Sequence, residues 1–369
     1  DCTQYDVFTG IGVDLVQQVW SGYNASLFAY GQTSSGKTHS MMGVRGDDSN
    51  AGLIPRICNL LFSSVDKFLA EGDEKTHEAL VEASYIEVYN ETVIDLLGGS
   101  ALLKLREDPK VGIVAAGMIK VELGSVGDAM ATIERGASGR SVASTMYNSE
   151  SSRSHAIFEL HVRKRYPTSS GAMQSTSRLS LTDLAGSERS AKVGSTGSTL
   201  REGNNINKSL TTLGKCIRAL VEVSRGKKVL PPLRESVLTL YLRESLAGNV
   251  LTTMLANVSP VRSNMDETLS TLRYAASAKN IKTLVKKNED PAQKMIRELT
   301  AENEALKREL ELSKHNIIAA RRLSQLVRGQ HSLFSADANS ATVNEGSLLR
   351  AIRTHDEGSL LRSAGTQDE

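Results

Sequence analysis

The chain has 369 residues, is 40% hydrophobic and 4% aromatic, and carries a formal net charge of +2. That length supports one large domain or two small ones, and its core has to be built from Leu, Val, Ile and Ala. No apolar run reaches membrane-spanning length, no signal peptide is visible, and Cys2, Cys58 and Cys216 are scattered without CxxC spacing, which argues against a zinc site or disulfide framework and for a reducing compartment.

In chain order, Ala25–Tyr30 reads as a short buried strand, and Gly31-Gln32-Thr33-Ser34-Ser35-Gly36-Lys37-Thr38 follows it. This stretch fits G-x-x-x-x-G-K-[ST] at every fixed position. Its glycines let backbone N–H groups turn toward phosphate oxygens, Lys37 supplies an ammonium for the last two phosphates, and the Thr38 hydroxyl can ligate Mg2+. Thr38 onward opens a helix whose N-terminus faces the anion.

Further strands are expected over Val81–Val88, Ala156–Arg165, Arg178–Thr182 and Leu251–Val258, with Thr168–Thr176 as a hairpin loop. Ile206, Leu210, Leu213, Ile217 and Leu220 mark one face of a helix that stops near Gly226. A second helix runs from Val237 through Leu246 to a stop at Gly248, and a third covers Glu267–Asn280. Alternating strands and helices predict an α/β fold: a P-loop NTPase with a central mixed, mostly parallel sheet and helices on both faces.

After Asn288-Glu289-Asp290-Pro291, the positions Ile296, Leu299, Asn303, Leu306 and Leu310 follow a heptad with Asn at one core position. Such a run forms either a dimeric coiled coil or a helix folded back on the domain. From Ser313 the chain is rich in Ser, Ala and Arg. Glu345-Gly346-Ser347-Leu348-Leu349-Arg350 recurs as Glu357-Gly358-Ser359-Leu360-Leu361-Arg362. Two copies make no solenoid, and this tail is expected to be disordered.

Charge is uneven. From Arg189 to Arg243 there are eleven Lys or Arg against Glu202, Glu222 and Glu235, a local +8 that leaves −6 elsewhere. A basic block in a nearly neutral chain points to an acidic partner surface.

A P-loop enzyme needs a second carboxylate near Mg2+ and groups that detect the terminal phosphate. Asp183, at the end of a buried strand, suits the first need, and Gly186 in Asp183-Leu184-Ala185-Gly186-Ser187-Glu188 can bring its N–H to a γ-phosphate. Upstream, Asn148-Ser149-Glu150-Ser151-Ser152-Arg153-Ser154-His155 is dense in hydroxyls. Its residues fit either a phosphate-sensing loop, with an Arg able to pair with Glu188, or a helix cap followed by a strand. No Asn-Lys-x-Asp guanine motif occurs, against a GTPase.

These segments, in this order, resemble the P-loop, switch I and switch II of the kinesin motor domain. Gly22-Tyr23-Asn24, Gly52-Leu53-Ile54-Pro55-Arg56, Tyr85-Ile86-Glu87-Val88-Tyr89-Asn90-Glu91, Asn205-Ile206-Asn207-Lys208-Ser209-Leu210 and Leu269-Ser270-Thr271-Leu272-Arg273-Tyr274-Ala275 resemble it too, so the likeness covers residues 1 to about 310. The resemblance implies a microtubule-stimulated Mg-ATPase that moves along microtubules toward the plus end, in the cytoplasm. It implies that Gly31–Thr38 and His39 hold ATP, with His39 against the adenine. Thr38, Ser152 and Asp183 would hold Mg2+. Lys37, Ser152, Arg153, Gly186 and Glu188 would carry catalysis, Arg153 pairing with Glu188 when the switches close. Arg189, Lys192, Lys227, Lys228 and Arg234 would meet tubulin. No nucleic acid is implied.

The likeness is greatest to the vesicle-transport, Unc-104-like class, through Asn288–Pro291, Ile296-Arg297-Glu298-Leu299 and Arg234-Glu235-Ser236-Val237-Leu238-Thr239. It divides the chain into a motor domain (1–284), a neck linker (285–293), a neck helix able to form a homodimer (294–312) and a tail (313–369), with Asn288 as a candidate latch. Kinesins carry further strands before the P-loop. Only thirty residues precede Gly31 here, so Leu251–Val258 is expected to be an exposed sheet edge.

Overall fold

The computed structural model describes residues 2–72, 76–109, 112–147, 153–168, 171–188, 198–288 and 291–334. Helix α1 (Gln4–Val7) starts at a capping box in which the Thr3 and Asp6 side chains each bond the other's backbone N–H. A π-turn over Phe8–Gly12 leads into α2 (Val13–Trp20). Then follow β1 (Ala25–Tyr30), α3 (Lys37–Met42), α4 (Leu53–Glu71), β2 (Glu78–Tyr89), β3 (Thr92–Asp95), β4 (Ala101–Asp108), β5 (Gly112–Ala116), β6 (Val121–Leu123) and α5 (Val126–Tyr147). The chain continues through β7 (His155–Thr168), β8 (Gly171–Asp183), α6 (Ser198–Ser224), α7 (Val237–Tyr241), α8 (Arg243–Ala247), β9 (Leu251–Ala256), α9 (Met265–Ala278) and α10 (Pro291–Phe334).

The strands form one mixed sheet in the order β5-β4-β3-β2-β7-β8-β1-β9, with β6 beside β2. Among the described residues β1 alone makes parallel ladders, to β8 and β9, and the other pairs are antiparallel. The expected bias toward parallel pairing therefore holds only around β1. Hairpins dominate elsewhere because tight turns force it: Asn90 and Glu91 both take positive φ between β2 and β3. β9 ends the sheet, and its side chains are only partly buried.

Strand β1 is buried at all six positions because both of its faces are covered. Leu27 points into a core with Leu15 and Val19 of α2, Leu53, Ile57 and Leu61 of α4, and Phe158 and Leu179. Phe28 and Tyr30 point into a second core with Leu213, Ile217 and Leu220 of α6 and Leu238 and Leu246 of α7 and α8. The two layers hold β1, and so the loop that follows it, from both sides.

Several boundaries differ from expectation. β7 and β8 pair as far as Thr168 and Gly171, so the hairpin loop is much shorter than Thr168–Thr176, and Ser175 and Ser177 are buried strand residues. The helix expected over Val237–Leu246 breaks in two at Leu242, where ψ is 7°. Helix α10 continues past the expected end at 312 to Phe334, so the start of the segment expected to be disordered is helical. No Gly or Pro interrupts Ser313–Arg328, and its Leu, Ala and Arg content favours helix. The repeated hexapeptides lie outside the described residues. The chain divides into two compact units, the first ending at Ile296. No helix among the described residues is long and apolar enough to cross a membrane.

Candidate nucleotide site

The loop Gly31–Gly36 leaves the C-terminal end of β1 and turns into α3. Gly36 has φ +94°, a left-handed conformation open to glycine, and a Cβ on Gly31 would lie 2.1 Å from the Asn257 carbonyl oxygen. The loop's shape thus requires both glycines of the sequence pattern. Asn257 follows β9 and also donates to Ser40 Oγ at 3.0 Å, so β9 helps to wall the site.

Lys37, at the start of α3, is 8% exposed, and its Nζ donates to the Gly31 and Gln32 carbonyls at 2.9 Å each. Burial lowers its pKa, and the carboxylates of Asp183 and Glu188 pull the other way. The ammonium is held inside the loop, where an anion would be its natural partner.

Asp183 closes β8, placed beside β1 by the ladder that pairs it with Ala29. Its Oδ2 accepts from Thr38 Oγ1 at 2.5 Å, while its Oδ1 is buried without a protein partner. A hydroxyl and a carboxylate with one oxygen to spare are hard donors suited to Mg2+. Among the described residues no group of three His, Cys, Asp or Glu could hold a metal, so a cation here would complete its shell from hydroxyls, waters and phosphate.

Beyond Asp183 the chain folds back over the loop. Leu184 N donates to Ala29 O at 3.3 Å and Ser187 N to Gly31 O at 3.1 Å. The Glu188 carboxylate accepts from Thr33 N at 2.7 Å and Thr33 Oγ1 at 2.5 Å. Gly186 lies beneath this clasp, where a Cβ would meet Thr33 Oγ1 and Glu188 Oε2 at 2.3 Å. The described structure thus gathers Lys37, Thr38, Asp183, Gly186 and Glu188 at one loop.

His39 is exposed on α3, and Gln4 reaches it: Gln4 Nε2 donates to His39 O at 2.8 Å and lies 2.9 Å from His39 Nδ1. Arg153 is described and half-buried. Ser152 lies outside the described residues, as do Asn148–Ser151, Arg189 and Lys192. Of the remaining basic candidates, Lys228 is exposed, Lys227 pairs with Glu222, and Arg234, 74% exposed, pairs with Glu107 at 2.8 Å.

Residue pattern alone did not reveal Gln4 or the buried network beside the site. Arg140 on α5 joins Glu87 Oε1 at 3.1 Å and donates to Ser154 O and Oγ at 3.2 and 3.0 Å. A charged residue between Ile86 and Val88 near the end of strand β2, Glu87, is the signal that could have pointed to it. At the far end of the sheet Asn288 is tied down: its N donates to Gly22 O at 2.9 Å, its Nδ2 to Asn24 Oδ1 at 2.8 Å, and Asn249 Nδ2 donates to its Oδ1 at 3.1 Å. On α9, the Tyr274 ring stacks on Tyr30, with centroids 4.2 Å apart and planes 8° from parallel.

The chain is also similar to known proteins. The kinesin motor domain family model matches residues 1–281. The chain is 46% identical over 311 residues to the human kinesin-like protein KIF13B, covering 82% of this chain and 17% of that protein. It is also 46% identical over 310 residues to the Caenorhabditis elegans kinesin-like protein unc-104, covering 81% and 19%. The chain therefore spans about a fifth of the length of these curated relatives. A solved structure of a KIF14 dimer with AMP-PNP in complex with a microtubule shares 43% identity and a TM-score of 0.72, covering 81% of this chain and 82% of that one. A structure described as a fast kinesin shares 40% identity at a TM-score of 0.71, covering 79% and 80%. The chain belongs to the kinesin motor domain family.

Proposed function

We propose that this chain is a microtubule-based motor unit that hydrolyses ATP, is stimulated by microtubules and moves toward the plus end in the cytoplasm. The observation that carries the reading is the joint placement of Lys37, Thr38, Asp183, Gly186 and Glu188 around one glycine loop at the end of β1.

The γ-phosphate of ATP would take the place that the Gly31 and Gln32 carbonyls have at Lys37 Nζ. Lys37 then stabilises the charge that grows as water attacks, together with backbone N–H groups of the loop. Mg2+, held by Thr38, Ser152 and Asp183, would neutralise phosphate charge. Ser152 positions the attacking water, and the Gly186 N–H senses the terminal phosphate. Glu188 leaves Thr33 for Arg153 when the loops close, and His39, steadied by Gln4, lies against the adenine.

Lys227, Lys228 and Arg234, with Arg189 and Lys192, form the basic face toward acidic tubulin. Association through it should weaken as salt rises. Exposed Ile296, Leu299, Leu306 and Leu310 on α10 support a homodimer through this helix, with Asn303 setting register.

Steady-state ATP turnover with and without polymerised microtubules tests the reading. Strong stimulation supports it. Microtubule binding that ignores nucleotide, with no turnover, would overturn it.

A further inference from the structure

His155 opens β7, and its imidazole is 2% exposed. Its Nδ1 accepts a hydrogen bond from the Ala185 N–H at 3.0 Å, and its Nε2 lies 2.9 Å from Ser209 Oγ. A ring nitrogen that accepts an N–H carries a lone pair, so the ring proton is on Nε2, which donates to Ser209. Burial, with the positive charges of Arg140 and Lys37, holds the ring's pKa down to about 3, so this tautomer persists across the working pH range.

The two partners belong to different parts of the machine. Ala185 lies between Asp183, bonded to Thr38, and Gly186, packed under the Glu188–Thr33 clasp. Ser209 lies on α6, whose Leu210, Leu213, Ile217 and Leu220 fill the second core. The chain itself joins loop and helix only through residues 189–197. On either side of the ring the chain is held, Ser154 by Arg140, itself paired with Glu87, and Ala156 by the ladder to Asp183, so His155 stands on the strand that leads the loop.

We infer that His155 is a positioning residue that carries movement of the Asp183–Gly186 loop into helix α6, through an imidazole that accepts from the loop at one nitrogen and donates to the helix at the other. The inference rests on the proposed ATPase reading. A rigid ring with one bond at each end passes displacement in a way that an apolar contact, free to slide, does not.

Two substitutions separate the ends. Ser209→Ala removes the helix partner and leaves the loop bond. His155→Asn can still place an oxygen near the Ala185 N–H but cannot reach Ser209. Amide hydrogen exchange of residues 183–187 and 208–220 is compared with ADP and with a non-hydrolysable ATP analogue bound to the intact chain. In the parent both segments should differ between nucleotides. In both variants the loop difference should persist while the helix difference largely disappears. Microtubule-stimulated kcat of Ser209→Ala should fall about tenfold, the order expected for one lost hydrogen bond, with the KM for ATP within about twofold. A merely structural bond would lower stability without separating the two segments. A full helix difference in both variants overturns the inference, as does a parent whose helix ignores nucleotide. A parent that shows the helix difference but no microtubule stimulation overturns the motor reading and leaves this coupling standing.

Discussion

Glu188 holds Thr33 by both hydrogens that residue can offer, the backbone N–H at 2.7 Å and the hydroxyl at 2.5 Å. The clasp ties the segment after β8 to the loop after β1, so it must open for Glu188 to reach Arg153. Glu188→Ala should leave ATP affinity within about threefold of the parent, since the substitution removes no group that contacts phosphate, while abolishing microtubule-stimulated turnover. Nucleotide binding by fluorescence and turnover by phosphate release give the two numbers. Unchanged turnover would refute the role given to this residue.

Asn288, proposed as the linker latch, makes a separate expectation. Asn288→Ala removes its side-chain bonds to Asn24 and Asn249 and leaves its backbone bond to Gly22. The loss is about 1–3 kcal/mol, because the partner amides are part-buried. Residues 282–288 should exchange amide hydrogens faster, and microtubule gliding should slow more than ATP turnover. Equal losses in both would show that the latch serves catalysis rather than movement.

A pH dependence follows from His161. Burial lowers its pKa to about 4, against the opposing attraction of Glu159 at 3.7 Å, with Lys120 and Arg178 also disfavouring the charge. The folded state therefore resists protonation while the unfolded chain takes a proton near pH 6.5. Stability is full above about 6.5 and falls by up to about 1.4 kcal/mol per pH unit from there toward 4. Denaturant unfolding of the parent and of His161→Asn should diverge over that window, the parent falling more steeply. Parallel curves would count against the buried neutral ring.

Helix α10 gives the fourth. Asn303 shares a heptad seam with exposed Ile296, Leu299, Leu306 and Leu310. Asn303→Leu should tighten self-association by about tenfold or more while loosening the choice of oligomer, as at other core Asn positions. Sedimentation equilibrium reads both. No change in association would mean the seam faces solvent in solution.

How much of this was legible beforehand depended on how local the signal was. The glycine loop is readable because Gly31 and Gly36 are demanded by backbone geometry within eight residues, and Lys37 and Thr38 follow at fixed offsets. The α6 face is readable because Leu213, Ile217 and Leu220 recur at helical spacing. The direction of strand pairing was less so: β2, β7 and β8 are buried at consecutive positions over Ala83–Tyr89, His155–Leu160 and Leu179–Asp183, as parallel strands also are, and only the register shows that they run antiparallel. The end of α10 lies beyond the expected one because a segment without apolar periodicity can still carry the Leu, Ala and Arg that favour helix. The His155–Ser209 contact joins residues 54 apart, and no pattern within either element announces it.

Tyr30 is the last residue before the glycine loop, and Tyr274 stacks flat on it from α9, the helix that precedes the proposed neck linker. That contact makes the nucleotide loop and the root of the linker mechanical neighbours. By reciprocity of coupling, any shift that ATP imposes on α9 is matched by a shift that tension on α9 imposes on ATP affinity. A backward load on the linker should change the ATP concentration needed for half-maximal stepping, and Tyr274→Ala should blunt that response in a single-molecule trap. The stacked rings would then act as a force gauge, letting one head of the proposed homodimer read the strain set by the other before it commits to another nucleotide.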